Sequence, residues 1–296
     1  MEIVVFGAGS LGSLIGGLLA REHRVTLVGR EPHVGRVRES GLRVAGTFDL
    51  TTHPDARTDA PESADLALVT VKAFDTPAAA EALAGCDLDS VLSLQNGVGN
   101  EATLAARLDG VLAGICTYGA QLVGPGEVAC TGVGEVALGP PGGGSSAAAD
   151  RVGETLRAGG IETTVATDIP RRLWEKLAVN AGINPTTALA RVPNGALHDG
   201  PVREVAAEAA RETARVARGR GVDLGEEDAV AALDDVVAAT AENSSSMLQD
   251  VLAGQPTEID AINGSVVEHA GRPVPVNRTL AGLVRAWEAA NVRDED

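Results

Sequence analysis

The chain has 296 residues, 44% apolar and 2% aromatic, with 41 Asp and Glu against 24 Lys and Arg and a formal net charge of −17. That length suggests about two domains at roughly 150 residues each, with cores built from Ala, Val and Leu rather than aromatics. So acidic a surface repels nucleic acid and anionic membranes, and no apolar run is long enough to span a bilayer. The acids are dispersed, apart from a short Asp294-Glu295-Asp296 run. Only Lys72 and Lys176 are lysine, so 24 − 2 leaves 22 arginines. Dispersed acid, scarce lysine and small apolar side chains predict a halophilic protein of a salt-rich cytoplasm, where a Debye length of about 3 Å at molar salt screens self-repulsion. Cys86, Cys116 and Cys130 are odd in number and lack metal-ligand spacing, so they read as reduced thiols. The histidines form no metal pattern, and no metal site is expected. No signal peptide is expected ahead of the N-terminal strand and glycine loop, which predicts a cytoplasmic protein.

In chain order, Glu2-Ile3-Val4-Val5-Phe6 predicts a buried strand, residues 11–21 a helix and residues 24–28 a second strand. Residues 66–71 predict another strand, 78–84 a helix, 91–94 a strand, 101–108 a helix and 111–116 a strand. This alternation implies a Rossmann-type, doubly wound parallel sheet. Val-rich pieces with Pro-Gly and Thr-Gly punctuation over 124–139 suggest an antiparallel excursion on the sheet edge. Residues 142–146 form a loop tip, and 147–158 the last helix of this domain. Near Asp168 the texture turns helical, with Pro170 in a first turn. Amphipathic stretches follow at 201–218, 226–240, 245–252, 258–270 and 279–291. The expected organisation is an α/β dinucleotide domain over residues 1–167 and an all-α helical domain over 168–296. Exposed apolar helix faces in the second leave monomer and homodimer both open.

Gly7-Ala8-Gly9-Ser10-Leu11-Gly12 is a GxGxxG run between a strand and a helix. The first glycine allows a tight turn, the second lets a pyrophosphate approach the backbone, and the third lets helix pack on strand. After the second strand come Gly29-Arg30-Glu31. NAD sites usually place an acid there for the ribose 2′-hydroxyl, whereas an arginine can accept a 2′-phosphate. Arg30 favours NADP, and Glu31 leaves NADH open. Lys72 is read as ending a later strand at the cofactor crevice, where it and Arg30 could flank one phosphate. Asn96-Gly97 follows the next strand; it is either a plain turn or a contact to nicotinamide or substrate.

Trp174-Glu175-Lys176-Leu177-Ala178-Val179-Asn180-Ala181-Gly182-Ile183-Asn184-Pro185 places Lys176, Asn180 and Asn184 on one helix face, before Pro185 is expected to end the helix. A stripe that is polar but little charged suits a small polar substrate. Glu258 stands at a helix start, where Thr257 and Asp260 have capping-box-like spacing.

The Trp174–Pro185 stretch resembles the ketopantoate reductase (2-dehydropantoate 2-reductase) family. So do Pro193-Asn194-Gly195, the run from Thr240 through Asn243, Ser246 and Asp250, and Thr257-Glu258-Ile259-Asp260-Ala261-Ile262-Asn263-Gly264. The glycine loop, Val71-Lys72-Ala73 and Asn96-Gly97 match in the same order. The resemblance implies NADPH-dependent reduction of ketopantoate to (R)-pantoate, in pantothenate and coenzyme A biosynthesis, with the active site in a cleft between the domains. It implies that Lys176 is the general acid and Glu258 a carboxylate that bonds the substrate hydroxyl and orients the lysine. Asn180, Asn184 and Asn194 would be substrate amides, and Ser246 a donor to the substrate carboxylate. Asn243 would lie on the cofactor side, with Glu258 also near the cofactor, and Asn96 between nicotinamide and substrate. A reductase of another small 2-keto acid and a non-catalytic NADP sensor are the alternatives. Coenzyme A could also compete at the nucleotide site, with a mixed disulfide at Cys86.

Overall fold

A computed structural model describes residues 1–292; the acidic run at 294–296 lies outside the described residues. The strands are β1 (Glu2–Phe6), β2 (Arg24–Val28), β3 (Leu42–Gly46), β4 (Leu50–Thr52), β5 (Asp55–Arg57), β6 (Ser63–Val69), β7 (Asp87–Ser93), β8 (Val111–Cys116), β9 (Gly119–Gly124), β10 (Glu127–Gly132), β11 (Val136–Gly139) and β12 (Thr163–Val165). The helices are α1 (Ser10–Leu19), α2 (His33–Ser40), α3 (Thr76–Leu83), α4 (Asn100–Ala105), α5 (Ala147–Ala158), α6 (Ile169–Ala190), α7 (Arg203–Gly219), α8 (Glu226–Ala239), α9 (Ser246–Ala253), α10 (Ser265–His269) and α11 (Pro275–Asn291). Two compact units result: residues 1–95 with 99–169, and residues 96–98 with 170 onward. No described helix is long and apolar enough to cross a membrane.

In the first unit, an eight-stranded sheet runs β12-β11-β8-β7-β6-β1-β2-β5. Every pairing in it is parallel except β8 with β11. The order β5-β2-β1-β6-β7-β8 reverses between β1 and β6, the switch point where a doubly wound sheet binds nucleotides. Such strands are covered on both faces and read as continuous apolar runs. In β1, Ile3 and Val5 enter one core layer and Val4 the opposite one.

A second sheet, β4-β3-β10-β9, packs against α1. This explains Gly16 and Gly17 inside that helix. A Cβ on Gly16 would come within 2.5 Å of Leu27 in the main sheet, and one on Gly17 within 2.7 Å of Val44 in the second. His33, at the start of α2, locks the same contact: the Gly126 N–H donates to its Nδ1 at 3.1 Å, and its Nε2 meets Ser13 Oγ at 3.0 Å. The region 124–139 therefore divides. The β9–β10 hairpin belongs to the second sheet and not to the edge of the first, while β11 alone returns as an antiparallel strand. Helix α2, strands β3, β4, β5 and β12, and all of β9 but Gly124 fall where the sequence reading named no element.

The second unit is helical. Ser245 caps α9 by accepting from Leu248 N at 3.1 Å, and Gly254 ends it in the left-handed region at φ 67°. Pro185 does not end α6, which runs on to Ala190. Proline lacks the N–H that would bond the carbonyl four residues back. That carbonyl, on Ala181, accepts instead from Asn263 Nδ2 at 3.0 Å. The expected helix over 258–270 is also interrupted: Asp260–Gly264 forms a π turn, with Gly264 N bonded to Ile259 O at 2.9 Å, before α10 begins.

Candidate active site

The nucleotide loop of the first unit is built around Gly7, at φ +115°. A Cβ there would meet the Val71 amide nitrogen at 2.6 Å, and one on Gly12 would collide with the Gly7 carbonyl and Thr70 Oγ1. A Cβ on Gly9 would meet nothing within 4 Å, so the open side of the loop is at the second glycine, where a pyrophosphate would approach. The N–H groups of the first turn of α1 lack intrahelical acceptors by geometry and suit an anion. The residues present therefore fit a dinucleotide. Ala8 is buried and Leu11 packs on the core, so each offers backbone rather than side chain. Ser10 Oγ accepts the Leu122 N–H at 3.1 Å, which leaves its own proton to donate.

Arg30 is exposed just beyond β2. Glu31 is held within its own segment: one carboxylate oxygen accepts from Gly35 N at 3.0 Å and the other from Arg38 at 3.2 Å. Lys72 does not end a strand, because β6 stops at Val69; it precedes a short 3-10 turn, Ala73–Asp75, and is half-buried. Since β2 and β6 flank β1, the segments bearing Arg30 and Lys72 leave the sheet two strand spacings apart, about 10 Å.

Beneath these loops lies a buried polar network that the sequence reading did not single out. Gln95 Nε2 donates to Thr76 Oγ1 at 2.7 Å and to Val71 O at 3.2 Å, and Thr76 Oγ1 reaches Asn100 Oδ1 at 2.9 Å. Gln95 thereby fastens the residue before Lys72 to the residue before Asn96. Glu101 joins through Ser93, and burial pushes its carboxyl above the usual range.

In the second unit, Lys176 and Asn180 are half-buried on α6, and Asn184 is buried. Asn96 is grouped with this unit, and its Nδ2 donates to Glu258 Oε2 at 2.8 Å. Glu258 is only 6% exposed. The approach needs Gly97, at φ +87°, where a Cβ would come within 2.5 Å of the Ala261 carbonyl oxygen. Thr257 and Asp260 do not form a capping box. Thr257 Oγ1 accepts from Ile259 N at 3.2 Å and donates to Glu288 at 2.7 Å, while Asp260 pairs with Arg285 at 2.6 Å.

Asn194 is buried, and its Nδ2 donates to Thr240 Oγ1 at 2.9 Å. Its Oδ1 is a buried acceptor with no partner in the protein, which fits a site completed by a ligand donor. A backbone bond of 3.0 Å from Asn194 N to Asn243 O brings those two residues together. Asn243 and Ser246 are exposed. Cys86 follows α3, where partial burial and then Asp87 push its thiol up. Less thiolate at neutral pH weakens the case for a mixed disulfide there. The sequence reading missed Asn277 and Glu212 as well. Polar residues inside apolar helical segments were the available signal, but only the fold shows what they face.

Residues 3–143 match the family described as "Ketopantoate reductase PanE/ApbA", and residues 168–288 match "Ketopantoate reductase PanE/ApbA C terminal". The chain is 47% identical to the 2-dehydropantoate 2-reductase of Halobacterium salinarum, over 96% of this chain and 98% of that one. Among solved structures it resembles a PanE/ApbA family ketopantoate reductase from Ralstonia eutropha, with a TM-score of 0.90 and 34% identity over 99% of this chain and 100% of that one. It also resembles D-mandelate dehydrogenase in complex with NADH and anilino(oxo)acetate, with a TM-score of 0.93 and 26% identity over 99% and 100% of the two chains.

Proposed function

The chain belongs to the ketopantoate reductase family, and from that premise we propose that it reduces 2-dehydropantoate to (R)-pantoate with NADPH. When bound, the nicotinamide supplies hydride to the substrate carbonyl carbon. Lys176 gives one proton from its ammonium to the carbonyl oxygen, which acquires the developing negative charge, and is left as the neutral amine. Glu258 bonds the substrate hydroxyl and orients the lysine. Asn180, Asn184 and Asn194 hold the remaining polar groups of the substrate, and Ser246 donates to its carboxylate. Asn96 stands between nicotinamide and substrate, and Asn243 serves the cofactor side.

The observation that carries this reading is the 2.8 Å bond from Asn96 to a Glu258 only 6% exposed. A surface acid at a helix start has no need to be buried against an amide donor, whereas a carboxylate that must aim a lysine does. For the cofactor, commitment of Glu31 to Gly35 and Arg38 leaves Arg30 to meet a 2′-phosphate, which supports NADPH over NADH. The free cysteines and the acidic composition support a salt-rich cytoplasm as the setting.

A second reading, a reductase of an aryl 2-keto acid, is favoured by the likeness to D-mandelate dehydrogenase. One experiment separates the two: oxidation of NADPH and of NADH with ketopantoate and with aryl 2-keto acids, at low and at molar KCl. Fast NADPH oxidation with ketopantoate supports the first. Preference for an aryl acid establishes the second. NADH in the lead keeps the reductase and removes the role of Arg30.

A further inference from the structure

We infer that Asn263, which is fully buried, is a positioning residue for this site: it ties the segment bearing Glu258 to the middle of the helix bearing Lys176. The inference rests on the proposed roles of those two residues. Three observations carry it, all within the helical unit.

The first is the carbonyl that Pro185 leaves without its helix donor. Asn263 Nδ2 donates to Ala181 O at 3.0 Å, and Ala181 lies between Asn180 and Asn184 on α6. A side chain outside the helix thus takes over a bond that the helix ladder cannot make.

The second is the fixed orientation of the amide. The same Nδ2 donates to Asn277 Oδ1 at 2.9 Å. Asn277 cannot flip, because its Nδ2 donates to Ala209 O at 3.0 Å and to Glu212 Oε2 at 2.8 Å. Glu212 is itself held by the Val276 and Asn277 N–H groups, at 3.0 and 2.9 Å, at the start of α11. Asn263 Nδ2 thus donates both ways, to Ala181 and to Asn277, and Asn277 donates on to Glu212, so each amide has a single consistent orientation.

The third is the π turn. Asn263 sits within Asp260–Gly264, and Ile262 N bonds Glu258 O at 3.0 Å, so the backbone of Glu258 is part of the same irregular turn. A π turn is a strained insertion that tertiary contacts must hold, and it is often found beside functional sites. Asn263 Oδ1 is meanwhile buried without a partner. A site chosen for stability alone would favour a side chain that leaves no buried acceptor unsatisfied.

Asn263→Ala is expected to lower kcat by about 10²-fold, the scale of a 1 Å misplacement, with no change in NADPH affinity. Pro185→Ala in the same chain restores an N–H to the Ala181 carbonyl. The double variant should therefore recover part of the melting temperature lost by Asn263→Ala, the share due to Ala181 O, but none of its kcat. Amide exchange over residues 257–264 should stay faster than wild type in both. Recovery of kcat together with the melting temperature would show that Asn263 only satisfies a carbonyl, and would overturn the inference. So would wild-type kcat, or wild-type exchange, in Asn263→Ala. If that variant fails to fold, the double variant carries the comparison alone. A wild type that reduces no 2-keto acid refutes the proposed function instead, and the exchange measurement then decides the role of Asn263 by itself.

Discussion

At Lys176 the choice of lysine over arginine matters because a proton has to leave. An ordinary ammonium titrates near pH 10.4, whereas a guanidinium stays charged above pH 12. Lys176→Ala should cut kcat by about 10³-fold, within the range for loss of a general acid, while fluorescence titration shows NADPH binding unchanged. Lys176→Arg should be nearly as damaging. Wild-type turnover in either variant removes Lys176 from the chemistry. Arg30 makes a separable prediction. Arg30→Ala should weaken NADPH binding about tenfold, since loss of one exposed charge-assisted contact costs on the order of 1 kcal/mol, and leave NADH binding unaltered. Equal loss for both cofactors would mean that Arg30 does not read the 2′-phosphate. Much of this was legible in the residues themselves, because GxGxxG and the Lys176, Asn180, Asn184 spacing are local patterns. The bond from Asn96 to Glu258 was not, since its partners are 162 residues apart. The commitment of Glu31 to Gly35 was closer to hand: an acid four residues before a helical N–H is a local signal that bears on how far Glu31 leaves NADH open.

Elements failed to show in the sequence where their stability is not local. Strands β3, β4 and β5 are three to five residues long, and β3 and β10 pair across about 80 residues of chain. Nothing in a short window marks such strands, because long-range pairing and burial decide them. Pro185 shows the opposite error. The local rule that proline stops a helix is overruled by one buried side-chain amide. His33 makes the second sheet testable. Burial lowers its pKa below the ordinary 6.5, with a weaker opposing pull from the Gly124 backbone. Between the lowered value and 6.5 the unfolded chain binds the proton and the folded one does not, so stability falls as pH drops through 6.5. The charged ring also could not accept the Gly126 N–H. His33→Gln, which cannot titrate, should be less stable than wild type at pH 7.5. Its deficit in melting temperature should shrink toward pH 5. A constant deficit would show that His33 does not titrate differently in the two states.

Over the whole molecule, two electrostatic effects of opposite sign compete, and their ranges decide between them. Helices α7 and α8 are joined by Arg211 and Arg215 to Glu204, Glu208, Glu226 and Glu227, with contacts as short as 2.6 Å and arginines 23% exposed. Added salt weakens such pairs only modestly, because partly buried charges in contact are poorly screened. The surplus is different: 41 acids against 24 bases leave seventeen negative charges spread over the chain. Their mutual repulsion acts over longer distances, is felt at a Debye length of about 10 Å in 0.1 M salt, and is almost extinguished at about 3 Å in 1 M. The long-range term should therefore dominate the response, and the melting temperature should climb from 0.1 to 2 M KCl. Salting-out of apolar surface would act in the same direction, so the charge contribution needs its own control. A variant with exposed acids far from the proposed site made neutral (Glu22→Gln, Asp109→Asn, Glu154→Gln and Asp235→Asn) should melt higher than wild type at low salt and gain less from KCl. If wild type and this variant respond to KCl in parallel, the acidic surface is not what links this protein to salt, and the halophilic reading loses its physical basis.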